Sequence, residues 1–388
     1  MENRVSKNVR EIPPSGIRKL FDVANEMKGV ISLGVGEPDF ITPWNIREAA
    51  ISSIERGRTH YTSNKGLPEL RELISVYLKE RFGVNYSADD TLITVGASEG
   101  LDLVFRAVLE PGDEVLVPAP SYVSYMPGVR LAYGVPVPVV TCAEDNFVLQ
   151  PEAIEAAVTK KTKAIVLPYP NNPTGAIMTR EQLDRIIPVI EKHDLLIIAD
   201  EIYAELTYGT VRHASVAKGL EERTVLISGF SKSLAMTGWR LGYACAPKEI
   251  LDAMVKIHQY TMLCAPIMAQ YAGLEALKTE MESGYMQIRE MRHSYNRRRI
   301  LIYEGFNEMG LSCFEPKGAF YVFPSIQSTG MTSDEFCTKL LMSKKVACVD
   351  GSAFGSVGEG FIRCSYAASV ENITEALKRI KEFLEEIK

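Results

Sequence analysis

The spacing of apolar and polar positions divides the chain into stretches of different texture. Residues 1–14 read as a loose arm closed by Pro13-Pro14. A helix is expected over 17–27: Ile17, Leu20, Phe21 and Ala24 recur at helical spacing, Ser15 is placed to cap it and Gly29 closes it. From about residue 45 helical patterns alternate with short apolar runs. The helices expected are 46–56, 68–82, 99–109, 151–158 and 179–193, and the strands 91–95, 114–117, 135–140, 164–167, 195–199, 224–228 and 241–244. Runs such as LLIIA are apolar throughout, so both faces of the sheet are covered. That predicts an α/β core with a mostly parallel sheet flanked by helices. After about residue 280 a long charged helix (285–309) precedes short strands (319–323, 347–349, 361–364) and helices (333–341, 371–387), the pattern of a smaller α+β unit.

Composition adds exclusions. The 388 residues carry a net charge of −6, which leaves no basic excess to neutralise phosphates, so no nucleic-acid partner is expected. The longest basic run, Arg297-Arg298-Arg299, sits in a mixed-charge stretch (290–304) that reads as a solvated helix face. Seven scattered cysteines without a CxxC read as reduced thiols, and five histidines form no HExxH spacing, so no metal site is expected. The start has no apolar leader core, and no run reaches bilayer length. A cytoplasmic protein without a membrane partner is expected.

The candidate chemistry lies at strand ends. Gly34-Val-Gly36-Glu-Pro-Asp39 fails as a dinucleotide loop, because proline and an extended stretch follow where a helix must open. It reads as a glycine loop beside a ligand. Gly96-Ala97-Ser98-Glu-Gly100 lies between a strand and a helix and allows two readings. One is the GxSxG nucleophile elbow of a serine hydrolase. The other is an anion cup built from backbone N–H groups at a helix N-terminus. Asp200 ends the strand LLIIA, and Tyr203 follows in DEIY. A buried carboxylate there needs a cationic partner. Lys232, in SGFSKS, is by itself an ordinary solvated lysine. Ser231 before it and Arg240 in TGWRLG after it turn the group into an amine beside a phosphate site. Asn172, in NNPTG, closes another strand and converges with Asp200 and Lys232 on one sheet edge. Arg363, in the apolar strand FIRCS, has a planar fork suited to a carboxylate, or to an internal salt bridge.

Together these motifs resemble the class I/II aminotransferases, pyridoxal-phosphate (PLP) enzymes of fold type I. The likeness runs over nearly the whole chain, through YPNNPTG, ADEIY, SGFSKSLAMTGWRLGY and KGAFYVFP. It implies a large PLP-binding domain (45–280), a small domain (15–44 and 281–388) and an N-terminal arm (1–14). It implies that Lys232 holds PLP, that Asp200 pairs with the ring nitrogen, and that Tyr203 and Asn172 hydrogen-bond the ring oxygen. Tyr122 would stack on the ring. Gly96, Ala97, Ser98, Ser231 and Arg240 would hold the phosphate, joined by Tyr61 from the other subunit of a homodimer with shared sites. Arg363 would clamp the substrate α-carboxylate, with Gly36 and Asn172 beside it. Many relatives carry Ser where this chain has Gly229, so one phosphate hydroxyl is missing. The implied reaction moves the amino group of an L-amino acid of the aspartate/aromatic/glutamate type to a 2-oxoacid such as 2-oxoglutarate. An N-acyl-diaminopimelate aminotransferase, a C–S lyase on the same fold and a serine hydrolase are the alternatives. Lys65 and Arg18 are candidate cations for an acidic substrate side chain. Ser98 stands where some aspartate-preferring relatives carry lysine, which argues against strict aspartate specificity.

Overall fold

A computed structural model describes residues 4–14, 16 and 27–387. The helix expected over 17–27, its Ser15 cap and Arg18 therefore lie outside the described residues, Met27 excepted. The strands are β1 (Ile31–Ser32), β2 (Thr91–Thr94), β3 (Glu114–Ala119), β4 (Val135–Val140), β5 (Thr162–Leu167), β6 (Leu196–Asp200), β7 (Thr224–Gly229), β8 (Gly242–Cys245), β9 (Tyr321–Val322), β10 (Val346–Ala347), β11 (Val349–Asp350) and β12 (Ile362–Ser365). Seven of them form one sheet in the order β2-β8-β7-β6-β5-β3-β4. All run parallel except β8, which is antiparallel to both neighbours. Residues of β2, β5, β6 and β7 are buried on both faces, which is why these strands read as unbroken apolar runs.

This order decides where chemistry collects. The C-terminal ends of β2, β3, β5, β6 and β7 face one edge, and the chain leaving them carries Gly96, Tyr122, Asn172, Asp200 and Lys232 in turn. An open parallel sheet binds ligands at that edge. Beyond it lies a three-stranded antiparallel sheet, β11-β12-β9, which carries Arg363 on β12. The run expected as one strand over 347–349 is broken at Cys348: Val346–Ala347 pairs with β1, while Val349–Asp350 turns to β12.

Four further expectations are corrected. The helix expected from residue 99 starts at Gly96, without a capping side chain, so the sequence carries no start signal there. Helices Lys248–Thr261 and Ile267–Glu282 were not expected. The second packs against helix Trp44–Glu55 and buries Ala269, Ala272, Gly273 and Ala276, and such small residues leave no large-apolar stripe to read. The arm includes a helical turn, Lys7–Arg10, capped by Ser6. The basic run is not a solvated face. Arg299 is buried, donating to Glu315 (2.8 Å) and the Pro316 carbonyl (3.0 Å), and Arg298 donates to both oxygens of Asp39 at 2.8 Å.

The NNPTG turn is tied to the segment leading into β9. Lys317 and Gly318 donate backbone N–H groups to the Gly175 carbonyl at 3.0 and 2.9 Å. Gly175 has φ +74°, and a Cβ there would lie 2.3 Å from Pro316 Cβ and 2.8 Å from the Tyr321 carbonyl. Both the backbone and the space demand glycine. Gly175→Ala is expected to cost about 1–3 kcal/mol, seen as a lower urea midpoint. An unchanged midpoint would mean that the contact gives way freely.

Candidate active site

The sheet edge and β12 enclose a cleft of about 590 Å³. Of the residues singled out in the sequence, Gly36, Ala97, Ser98, Tyr122, Asn172, Asp200, Tyr203, Ser231, Lys232, Arg240 and Arg363 line it. Gly96 adjoins it: its φ is +75°, and a Cβ there would lie 2.6 Å from Arg240 Nη2. Bare backbone and a guanidinium thus face each other where helix Gly96–Val108 begins, a cradle that a side chain would fill and an anion suits. Tyr61 does not line the cleft and is 81% exposed.

Asp200 sits at the cleft floor because it ends β6, one step past the last apolar residue. Its Oδ2 accepts from the Tyr125 phenol at 2.8 Å and its Oδ1 from the Ile202 N–H at 3.2 Å. Burial pushes its pKa up to about 6, against the pull of these two bonds. No cation within ion-pairing distance meets it among the described residues. Lys232 Nζ donates to the Gly36 carbonyl at 2.7 Å. Burial lowers its pKa to about 8, and Arg363 and Arg240 push the same way. The amine is therefore much closer to neutrality than a solvated lysine.

Arg363 is 2% exposed. It donates to Asn172 Oδ1 at 3.0 Å and to the Gly34 carbonyl at 2.6 Å. Its Nε, also buried, has no hydrogen-bond partner. The internal salt bridge that the sequence allowed is not formed: among the described residues both acceptors are neutral. A buried guanidinium with neutral acceptors and a spare donor suits an anionic ligand.

Residues 33–42 cross the cleft as a strap. The Ser365 N–H donates to the Leu33 carbonyl (2.6 Å), Thr237 Oγ1 donates to Glu37 (3.0 Å), and Thr42 Oγ1 donates to the Ala235 carbonyl (2.6 Å). The strap is extended and opens no helix until Trp44, as the proline in GEPDF implied.

The sequence reading assigned no part to Tyr125 and Tyr321, both in the cleft. Tyr125 stands three residues past Tyr122 on the turn into helix Tyr125–Leu131, a spacing that could have suggested it. Tyr321 lies inside KGAFYVFP with no polar neighbour to mark it. Gly229 also acquires a reason. A Cβ there would lie 2.8 Å from Gly242 Cα and 2.9 Å from the Leu241 carbonyl, so no hydroxyl side chain fits without moving β8. Lys65 donates to the Asp89 carbonyl at 2.9 Å and does not line the cleft. The hydrolase reading lacks its base: Ser98 lines the cleft, and no histidine lines it among the described residues.

Comparison with known proteins identifies the family. The family model "Aminotransferase class I and II" matches residues 28–380. The "Putative aminotransferase YugH" of Bacillus subtilis (strain 168) is 56% identical over 387 residues, 99% of each chain. The aspartate aminotransferase of Pyrococcus abyssi is 46% identical over 380 residues, 97% of each. The crystal structure of an aromatic aminotransferase from Pyrococcus horikoshii superposes with a TM-score of 0.90 at 44% identity, over 95% of this chain and 99% of that one. The chain belongs to the class I and II aminotransferases, enzymes that transfer amino groups and in general depend on PLP.

Proposed function

We propose that this transaminase moves the amino group of an L-amino acid, of the aspartate, aromatic or glutamate type, to a 2-oxoacid such as 2-oxoglutarate, with PLP held in the cleft. The observation that carries the reading is the pairing of Arg363, a buried cation without an anionic partner among the described residues, with Lys232, an amine whose pKa burial lowers, in the same cleft. The names of the Pyrococcus relatives support the substrate range.

When bound, PLP supplies an aldehyde that condenses with amines and a ring that draws electrons from the amino acid's α-carbon. The residues fit it. The Gly96 cradle, the N–H groups of Ala97 and Ser98, Ser231 and Arg240 would hold the phosphate. A protonated ring nitrogen would give Asp200 the cationic partner it lacks, and the Tyr125 bond keeps that carboxylate aimed and favours its ionised form. Tyr203, and the amide N–H of Asn172 left free by Arg363, would donate to the ring oxygen. Tyr122 would cover the ring face. Lys232 would hold the cofactor and, once displaced by the substrate amine, carry the proton from the α-carbon as a general base. Arg363 would bind the α-carboxylate through its fork and so fix which bond at the α-carbon faces the ring.

We further propose the division into arm (1–14), large domain (45–280) and small domain (15–44 and 281–388), the strap belonging to the small domain. We propose a homodimer in which Tyr61 reaches the partner's phosphate site. Its exposure supports a face that a partner covers. Seven free cysteines suit a reducing cytoplasm.

Three outcomes are expected. Borohydride reduction of PLP-loaded protein fixes the cofactor on the peptide carrying Lys232. Lys232→Ala remains unlabelled and loses turnover, whereas near-normal turnover would refute the assignment. The rate at which unloaded protein captures PLP tracks the neutral amine. Lys232 is cationic below a pKa of about 8 and neutral above it. Capture should therefore rise about tenfold from pH 7 to 9 and then level. A climb continuing past pH 10 would show an ordinary lysine. Arg363→Lys keeps the charge but loses the fork. It should lower kcat/KM for amino acid and 2-oxoacid alike, by about tenfold or more. Loss with only one of them would place the α-carboxylate elsewhere.

A further inference from the structure

Tyr321 is 1% exposed and meets two groups of the site at once. Its Oη lies 2.9 Å from Tyr203 Oη, with the rings edge-to-face at 5.9 Å. Its ring also faces the Arg363 guanidinium, whose Cζ is 4.5 Å from the ring centroid. The register fixes the second contact: Tyr321 on β9 pairs with Ser365 on β12, two residues from Arg363. Gly36 makes room for the hydroxyl, since a Cβ there would lie 2.9 Å from Tyr321 Oη.

Proton counting gives this arrangement a direction. Each phenol has one O–H, and burial keeps both protonated. In the hydrogen bond between them one phenol donates and the other accepts. If Tyr203 gives its proton to the cofactor's ring oxygen, it can only accept from Tyr321. Tyr321 then has no proton left for any other acceptor. Accepting a hydrogen bond makes Tyr203 a stronger donor, because linked hydrogen bonds polarise one another.

We infer that Tyr321 is a positioning residue with two separable parts. Its hydroxyl directs the Tyr203 proton toward the cofactor oxygen, and its ring holds the plane of the Arg363 fork. This rests on the functional reading above and adds a residue to it. The hydroxyl joins the group that tunes the cofactor, while the ring, through a cation–π contact, serves the group that binds the substrate.

The test uses the PLP-loaded protein and its visible absorption as a function of pH, without turnover. A hydrogen bond donated to the ring oxygen stabilises its unprotonated form, so weakening that bond moves the spectral midpoint to higher pH. Tyr321→Phe should raise the midpoint by about half a pH unit, roughly threefold in the proton equilibrium. Tyr203→Phe should raise it further, and adding Tyr321→Phe to Tyr203→Phe should add nothing. For the second part, Tyr321→Leu should raise the KM for 2-oxoglutarate severalfold, while Tyr321→Phe, which keeps the ring, leaves it within about twofold. A Tyr321→Phe midpoint equal to wild type, or a shift that persists in the Tyr203→Phe background, would overturn the hydroxyl's role. Equal KM values for Leu and Phe variants would overturn the ring's. Wild-type protein that takes up no PLP would instead overturn the functional reading, and this inference with it.

Discussion

A buried guanidinium with only carbonyl partners organises the site. Arg363 sits on a central strand of the small sheet, where a cation is costly. Its fork is held by Asn172 from the turn after β5 and by Gly34 from the strap. Those bonds orient it without neutralising it, so its charge stays available to a carboxylate. Asp200 is the converse, a buried carboxylate held by a phenol and an amide N–H. Lys232 lies in the same cleft under the influence of both charges. The fold keeps two uncompensated charges apart and lowers the proton affinity of the amine that works with them.

The strap makes this possible. Leu33 and Gly34 are bonded to β12, the Gly36 carbonyl accepts a hydrogen bond from Lys232, and Thr42 is bonded to the segment after Lys232. Asp39 joins Arg298 from the long helix Met286–Glu308. One extended segment of ten residues thus touches the sheet that carries the amine and the sheet that carries the carboxylate clamp. An extended strap offers its backbone carbonyls sideways, which a helix would have consumed. Gly36 is needed because Tyr321 fills the space its side chain would take.

Much of this was legible from sequence, for physical reasons. Strands buried on both faces announce themselves as apolar runs, so β5, β6 and β7 were readable, and polar residues just past such runs marked Asp200 and Asn172. What failed to show was of three kinds. Helix Ile267–Glu282 packs through alanine and glycine, which carry little pattern. Arg298 and Arg299 look solvated in sequence, yet pairing with Asp39 and Glu315 lets them pack inside. Tyr125 and Tyr321 act on other side chains rather than on a ligand, and only the register of β9 with β12 and the turn after β3 bring them into place. The absence of a hydroxyl at 229 was visible, but its cause, the close approach of Gly242, needed the structure.

We propose that one cleft binds PLP and an amino acid together and passes the amino group between them. The most direct test is the visible spectrum of the PLP-loaded protein on addition of glutamate, then of 2-oxoglutarate. The protein should be yellow, with a visible band that fades with glutamate and returns with 2-oxoglutarate. A protein that remains colourless after incubation with PLP, or a band that fades with glutamate and is not restored by any 2-oxoacid, would contradict it.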